Sequence, residues 1–242
     1  MDRPRIVTRD EWLAARLQHL SNEKELTRLR DQVSVQRRNL PWVQVDEPYV
    51  FDGPDGKESL ADLFGGKSQL IVYHFMFGPG WQEGCPSCSF LSDHIDGALP
   101  HLSARDVAFV VVSRASLAQI QPFRQRMGWR FKWVSSHGSD FNYDFHATTD
   151  EDVAPVEYNY RDKATLEQLG QDYHVKGEQH GASVFLRNGD TVYHTYSTYG
   201  RGCDLLVGAY NYLDLVPKGR DEDALAFTME WVRHHDKYDN EE

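Results

Sequence analysis

The stretch QLIVYHFMFGPGWQEGCPSCSFL, Gln69 to Leu91, decides the fold. Its first nine residues are almost continuously apolar, the pattern of a central strand buried on both faces. Gly78-Pro79-Gly80 ends that strand and opens a loop. Cys85-Pro86-Ser87-Cys88 follows, with Leu91, Ile95, Leu99 and Leu102 at helical spacing behind it. Proline suits the first helical position because its missing N–H is one of the orphan donors of a helix start. The spacing therefore predicts Cys85 at the N-cap and Cys88 one turn inside. A thiolate at the N-cap faces unpaired backbone N–H groups and the positive end of the helix dipole, and both lower its pKa. The second thiol is then placed to resolve a mixed disulfide by closing a Cys85–Cys88 ring.

Downstream, Val107–Val112 reads as a second buried strand and Phe131–Val134 as a third. Between them Ser116–Met127 is helical in pattern, with Pro122 expected to bend it or move its start, and Pro100 is expected to end or kink the helix before it. Residues 135–181 are long, polar and poor in aliphatics, with local helix expected around Lys163–Gly170. Ala182–Leu186 and Thr191–Tyr196 flank Asn188-Gly189, a hairpin signal. Asp221–Asn240 reads as a helix built on Leu225, Met229 and Val232. Upstream, Trp42–Val45 and Tyr49–Phe51 are strand-like and precede the turn cluster Gly53-Pro54-Asp55-Gly56.

Residues 1–40 differ in character. Nine basic against six acidic residues give +3 there, leaving −14 for the remainder of a chain whose net charge is −11. Thr8-Arg9-Asp10-Glu11 fits a capping box. Leu13, Leu17 and Leu20, then Leu26, Leu29 and Val33, form apolar stripes, so one long helix or two consecutive ones should end before Pro41. Such an arm either packs on the main domain or pairs two copies as a homodimer.

Composition narrows the function classes. The chain has 242 residues, 40% of them hydrophobic, and three cysteines, enough to bury a core and too few for a disulfide framework. The acidic balance argues against a general nucleic-acid or anionic-membrane partner. No apolar run reaches membrane-spanning length, and none in the first thirty residues suits a secretory signal, so a reducing cytoplasm is expected. The order strand, CPSC, helix, strand, helix, then antiparallel hairpin describes an α/β fold with a thioredoxin-like mixed sheet flanked by helices. It occupies residues 41–242, with residues 1–40 as an N-terminal helical extension.

The expected function is a dithiol–disulfide oxidoreductase with Cys85 and Cys88 catalytic and a protein or small-molecule thiol or disulfide as substrate. Redox proteins of this fold usually set a cis-proline opposite the cysteines, and the hairpin places Gly181 there, where a bare backbone would let a substrate approach. Trp81 and Pro86 flank the dithiol, and Tyr196, Tyr199 and Arg201 are expected to line a neighbouring pocket for a small anionic or thiol substrate. His74 reads as a satisfied core histidine, Asp93 as a solvated helix residue and His234-His235 as an exposed polar pair. One alternative is a thiol peroxidase, since the strand pattern from Tyr49 to Asp62 is similar to the N-terminal extension of peroxiredoxin-type folds. Another is a metal-binding or adaptor protein holding an ion with Cys85, Cys88, Cys203 and a histidine such as His74 or His94. No nucleotide fingerprint or phosphate loop is present, so no cofactor is expected.

Several stretches also resemble one bacterial family, domain of unknown function 899. They are EKELTRLRD (Glu23–Asp31), GCPSCSF (Gly84–Phe90), RMGW (Arg126–Trp129), SDFNYDF (Ser139–Phe145), SVF (Ser183–Phe185), HTYSTYGRG (His194–Gly202) and LDLVPKGR (Leu213–Arg220). The resemblance runs from about residue 8 to residue 220. It implies a thioredoxin-like fold and dithiol–disulfide oxidoreductase activity through the same two cysteines, without implying a substrate or a role for Cys203.

Overall fold

Gln69–His74 is a central strand of an eight-stranded sheet in the computed structural model, which describes residues 5–238. In chain order the strands are β1 (Val43–Gln44), β2 (Val50–Gly53), β3 (Gly56–Ser59), β4 (Gln69–His74), β5 (Val107–Ser113) and β6 (Lys132–Ser135). Two short ribbons intervene: β7 (Thr148–Thr149) pairs with β10 (Gly177–Glu178), and β8 (Glu157–Tyr158) with β9 (Arg161–Asp162). The hairpin β11 (Gly181–Asn188) and β12 (Thr191–Tyr199) completes the sheet. Its order is β1-β12-β11-β4-β5-β6-β2-β3. β4, β5 and β6 run parallel and every other pairing is antiparallel. A parallel half joined to an antiparallel hairpin, with the dithiol loop leaving β4, makes this a thioredoxin-like α/β fold.

Strand alternation splits the core in two. Leu70 and Val72 of β4, Val110 and Val112 of β5 and Val134 of β6 face one side, against Phe141 and Phe145 around α5 (Phe141–Asp144). Tyr73, Val111 and Trp133 face the other, with Phe75 and Phe77 continuing the line of β4. That second face receives α2 (Pro86–Ser92) and α4 (Leu117–Arg126) through Phe90, Leu91, Ile120 and Phe123. Each fully buried side chain of this size contributes about 1.5–3 kcal/mol relative to its exposed state. The cysteine-bearing helix therefore lies on the aromatic face, where Phe75 and Trp133 ring centres are 4.6 Å apart.

Local signals account for several boundaries. Ser116 and Gln119 form a capping box at α4, and the helix continues through Pro122. Pro100 starts a helix instead of ending one: α2 stops at Ser92, and α3 (Leu99–Ala104) begins with proline in its first turn. Asp162 caps α6 (Lys163–Gln168) by accepting the Thr165 N–H at 2.9 Å. Asn188 pairs with Thr191, so the hairpin loop is Gly189-Asp190 and Gly189 supplies the positive φ of 60°. A hydroxyl chain links the central strands: His74 Nε2 lies 2.8 Å from Ser183 Oγ, Ser183 Oγ 2.8 Å from Ser197 Oγ, and Ser197 Oγ 2.8 Å from His194 Nε2.

The tail departs from its sequence pattern. Over residues 221–238 there is no α-helix, only a short 3-10 turn at His235–Lys237. Asp221 and Met229 adopt φ of 54° and 70°, which a right-handed helix excludes. Glu222 collects the donors that a helix would have used or left wet: Tyr210 Oη–H, the Met229 N–H and Trp231 Nε1–H, at 2.8, 3.1 and 2.7 Å. Tyr210 belongs to α7 (Gly208–Leu213), so the segment is fixed by tertiary contacts. Residues 239 and 240 of the expected helix lie outside the described residues.

The chain divides into two compact units, residues 1–41 and 42–242. The first is one 30-residue helix, α1 (Arg9–Arg38), opened by the Thr8–Glu11 capping box and closed by Arg37 and Arg38 in its last turn, where cations suit the dipole. Leu13, Leu17, Leu26 and Leu29 on it are exposed. No helix among the described residues is long and apolar enough to cross a membrane.

One carboxylate ties the helix layer to β6. Asp96 accepts the N–H groups of Arg130 and Phe131, at 2.8 and 2.9 Å. Asp96→Ala removes the acceptor for both, and chemical denaturation is expected to show a loss of about 1–3 kcal/mol.

Candidate active site

The loop from Phe75 to Gly84 carries the chain from β4 to α2 and returns to its own start. The Cys85 N–H donates to the Met76 carbonyl at 3.0 Å, and the Met76 N–H reaches Cys88 Sγ at 3.5 Å. Alongside, the Phe75 N–H donates to Val112 and the Ala115 N–H to Phe77, so the loop begins as an extension of the parallel ladder. Cys85 occupies the N-cap and Pro86 the first turn of α2, as the CPSC spacing requires. Ser89 donates both its N–H and its Oγ–H to the Cys85 carbonyl, each at 2.9 Å. Cys85 is half-buried and Cys88 buried, and both are free thiols.

The two sulfurs are driven apart in acidity. The Cys88 thiol hydrogen-bonds to Cys85, and the N–H groups of Cys88 and Ser87 with the Ser87 hydroxyl add to it, holding Cys85 down at about 7 against the effect of burial. Cys88 is pushed well up by burial and by the neighbouring Cys85, although the Tyr73 hydroxyl and the Met76 N–H point to its sulfur. Tyr73 is itself buried, which raises its phenol. One thiol is thus poised as an anion at the surface side while its partner stays protonated beneath. Cys203 lies in the same core, donates weakly to the Thr198 carbonyl at 3.8 Å and is pushed up to about 12 by burial, which removes it as a nucleophile.

The residues just before Cys85 are held by the tail, a contact that the sequence pattern did not disclose. Glu83 pairs with Lys237 at 2.8 Å and with Arg126, which hold its carboxyl down at about 2. His234 Nε2 donates to the Gly84 carbonyl at 2.9 Å, while its Nδ1 accepts from Arg126 Nη2 at 2.9 Å. His234 is only 3% exposed, so the expectation of an exposed His234-His235 pair fails for its first member. His235 Nδ1 is 2.7 Å from Asp93, which also accepts Trp129 Nε1–H at 2.8 Å. Asp93 is exposed, as expected of a solvated helix residue, and it also bridges His235 and Trp129 at the end of α2.

Of the remaining site residues, Trp81 stands on the loop, 39% exposed, with its carbonyl accepting Gln119 Nε2–H at 3.0 Å. A Cβ at Gly78 would fall 2.9 Å from the Trp81 indole nitrogen and 3.2 Å from Glu178. Glu178, unnoticed in the sequence, forms a buried ion pair with Arg114 at 3.1 Å. Gly181 pairs with His74 of β4 and Tyr199 of β12. A Cβ there would meet the Tyr199 ring at 2.5 Å, so that ring takes the space a side chain would fill. Tyr199 is buried and donates to the Phe145 carbonyl at 2.9 Å. Tyr196 sits opposite Val184 in the hairpin, and exposed Arg201 pairs with Asp204. No cis peptide bond occurs among the described residues.

Metal donors are not gathered. Among the described residues no three of His, Cys, Asp or Glu stand together in a way that would hold an ion. His74 faces Phe141 and Phe145 on the opposite side of the sheet from the cysteines, and His94 Nε2 accepts the Ala209 N–H at 3.1 Å.

Glu83 gives the site an acid dependence. Its folded pKa of about 2 lies below the ordinary 4.5, so its contribution is complete above 4.5 and is lost as pH falls from 4.5 towards 2. Glu83→Gln is expected to flatten the fall in melting temperature across that window, measured by thermal denaturation at pH 5 and pH 3.

Solved structures offer distant likenesses. A cysteine-to-serine variant of PrxQ from Xylella fastidiosa superposes with a TM-score of 0.47 at 12% identity, covering 72% of this chain and 96% of that one. Peroxidoxin BcpB from Mycobacterium tuberculosis gives 0.46 at 10% identity, covering 69% and 94%. A thiol:disulfide interchange protein DsbE, described as putative, from Chlorobium tepidum gives 0.38 at 14%, covering 71% and 98%. No curated protein matches the sequence. The family pattern described as bacterial protein of unknown function, DUF899, matches residues 1–238, and the chain belongs to that family.

Proposed function

We propose that the chain is a dithiol–disulfide oxidoreductase, with Cys85 the nucleophile and Cys88 the resolving thiol. One observation carries the reading: a half-buried N-cap thiol drawn down to about 7, one helical turn from a buried thiol that stays protonated. Near neutral pH about half of such a thiol is thiolate, the reactive form, and its intrinsic nucleophilicity is still high.

The steps balance without a cofactor. The Cys85 thiolate attacks one sulfur of a substrate disulfide, forms Cys85–S–S–R and expels the other half as a thiolate. Cys88 then loses its proton to solvent or to that leaving thiolate and attacks Cys85 Sγ. The Cys85–Cys88 disulfide forms and the second substrate thiolate departs. Two electrons pass from the dithiol to the substrate, and an external thiol restores the reduced pair.

The β2–β3 hairpin beside β6, a feature similar in kind to the N-terminal extension of peroxiredoxin-type folds, supports a second reading. In it the Cys85 thiolate takes an oxygen from a hydroperoxide, releasing an alcohol or water, and the Cys85 sulfenic acid condenses with Cys88 to the same disulfide and water. Both readings keep the chain in a reducing compartment, and exposed Leu13, Leu17, Leu26 and Leu29 on α1 support pairing of two copies through that helix.

Dithiothreitol-driven reduction of a small aromatic disulfide tests the first reading. Cys85→Ser is expected to abolish turnover, and Cys88→Ser to halt after one event with a mixed disulfide visible by intact mass. Turnover equal to wild type in both variants defeats it. Hydroperoxide consumption without disulfide reduction, lost in Cys85→Ser, moves the assignment to the second.

A further inference from the structure

We propose that residues 231–237 form a strap that sets the reactivity of Cys85, with His234 as its positioning residue. The inference rests on the dithiol reading above.

The peptide joining Gly84 to Cys85 immediately precedes the N-cap, and its plane decides where the Cys85 Cα–Cβ bond points. Glycine imposes little on that plane, since without a Cβ its backbone has the widest freedom. Gly84 is nevertheless required: a Cβ would lie 2.5 Å from the Phe75 ring and 2.8 Å from Phe123. Orientation must therefore come from hydrogen bonds at the two ends of the peptide. The N–H end belongs to the Met76 carbonyl at 3.0 Å. The carbonyl end belongs to His234 Nε2–H at 2.9 Å.

His234 is in turn oriented. Arg126 donates to its Nδ1 at 2.9 Å, so Nε2 carries the proton given to Gly84. Its ring packs edge-on to Phe123, with centres 5.3 Å apart. The Arg126 guanidinium, the imidazole and the Gly84 carbonyl form a line of polarised bonds with the cation at one end and the peptide before Cys85 at the other. This drains electron density from the carbonyl of the peptide that leads into Cys85. The charged groups around the line are Glu83, Asp236 and Lys237, all engaged with one another or with Arg126.

The strap crosses α2 from end to end. Lys237 holds Glu83 before the helix, Trp231 meets Phe90 edge-on with ring centres 5.4 Å apart, and His235 holds Asp93 at the far end. Its other contacts secure the segment, while His234 alone grips the peptide next to the nucleophile.

The test is the pH profile of iodoacetamide labelling at Cys85, read by mass spectrometry on the full chain, together with the Cys85–Cys88 reduction potential against glutathione. His234→Phe keeps the ring and its packing but lacks the donor. His234→Gln keeps a donor at a similar reach. His234→Phe is expected to slow labelling at pH 7 by roughly threefold to tenfold and to move the midpoint upward, with the Cys85–Cys88 disulfide harder to reduce because the thiolate it yields is less stabilised. His234→Gln is expected to stay within about twofold of wild type, as retained hydrogen bonding requires. A wild-type midpoint near 7 that His234→Phe leaves unchanged overturns the strap alone, and so does His234→Gln labelling as slowly as His234→Phe. An ordinary thiol midpoint in the wild type defeats the dithiol reading and the strap together.

Discussion

The site depends on Met76 using both edges of its backbone. Its carbonyl receives the Cys85 N–H and its own N–H turns to Cys88 Sγ, so one residue fixes the distance between the end of β4 and the start of α2. A ten-residue loop closed in this way costs little more entropy than a shorter one. What it gains is that the N-cap cysteine always returns to the carboxyl edge of the parallel strands, where an open α/β sheet presents its ligands.

The aromatic face beneath gives that closure its stiffness. Phe75, Phe77, Phe123, Trp129 and Trp133 are mutual neighbours at ring-centre separations of 4.6–6.4 Å, mostly edge-on or tilted. Such pairs add about 0.5–1.5 kcal/mol each beyond simple burial. Two of these rings, Phe75 and Phe123, are the ones that forbid a side chain at Gly84. Packing and the placement of the thiols therefore share atoms, and the helix that carries Cys88 rests on a closely packed aromatic surface.

Much of this was legible in the sequence because the decisive signals are local. The run Gln69–Phe77, the CPSC spacing, the Thr8 capping box and the glycine turn at 189 each specify their own conformation within a few residues. The central strand, the N-cap placement of Cys85 and the buried state of His74 follow directly. The tail misled for the opposite reason. Leu225, Met229 and Val232 have helical spacing, yet Glu222 binds donors from three residues, one of them on α7, and this defeats the helix. His234 likewise carries no local mark. Its burial arises from Arg126 and Gly84, residues 108 and 150 positions away. Glycine directly before a CxxC motif was the one available hint that the backbone there is tightly enclosed.

The chain of short hydrogen bonds from His74 through Ser183 and Ser197 to His194 has a direction at its first link. His74 Nδ1 is buried and, among the described residues, has no partner, and an unused lone pair there costs less than an unused N–H. His74 therefore carries its proton on Nε2 and gives it to Ser183. A hydroxyl has one proton to give and two lone pairs with which to accept, so Ser183 can take that proton and still bond Ser197. Two imidazoles on different strands, β4 and β12, thus meet through one pair of hydroxyls. His74 cannot change its tautomer and keep its bond to Ser183 until that hydroxyl has turned.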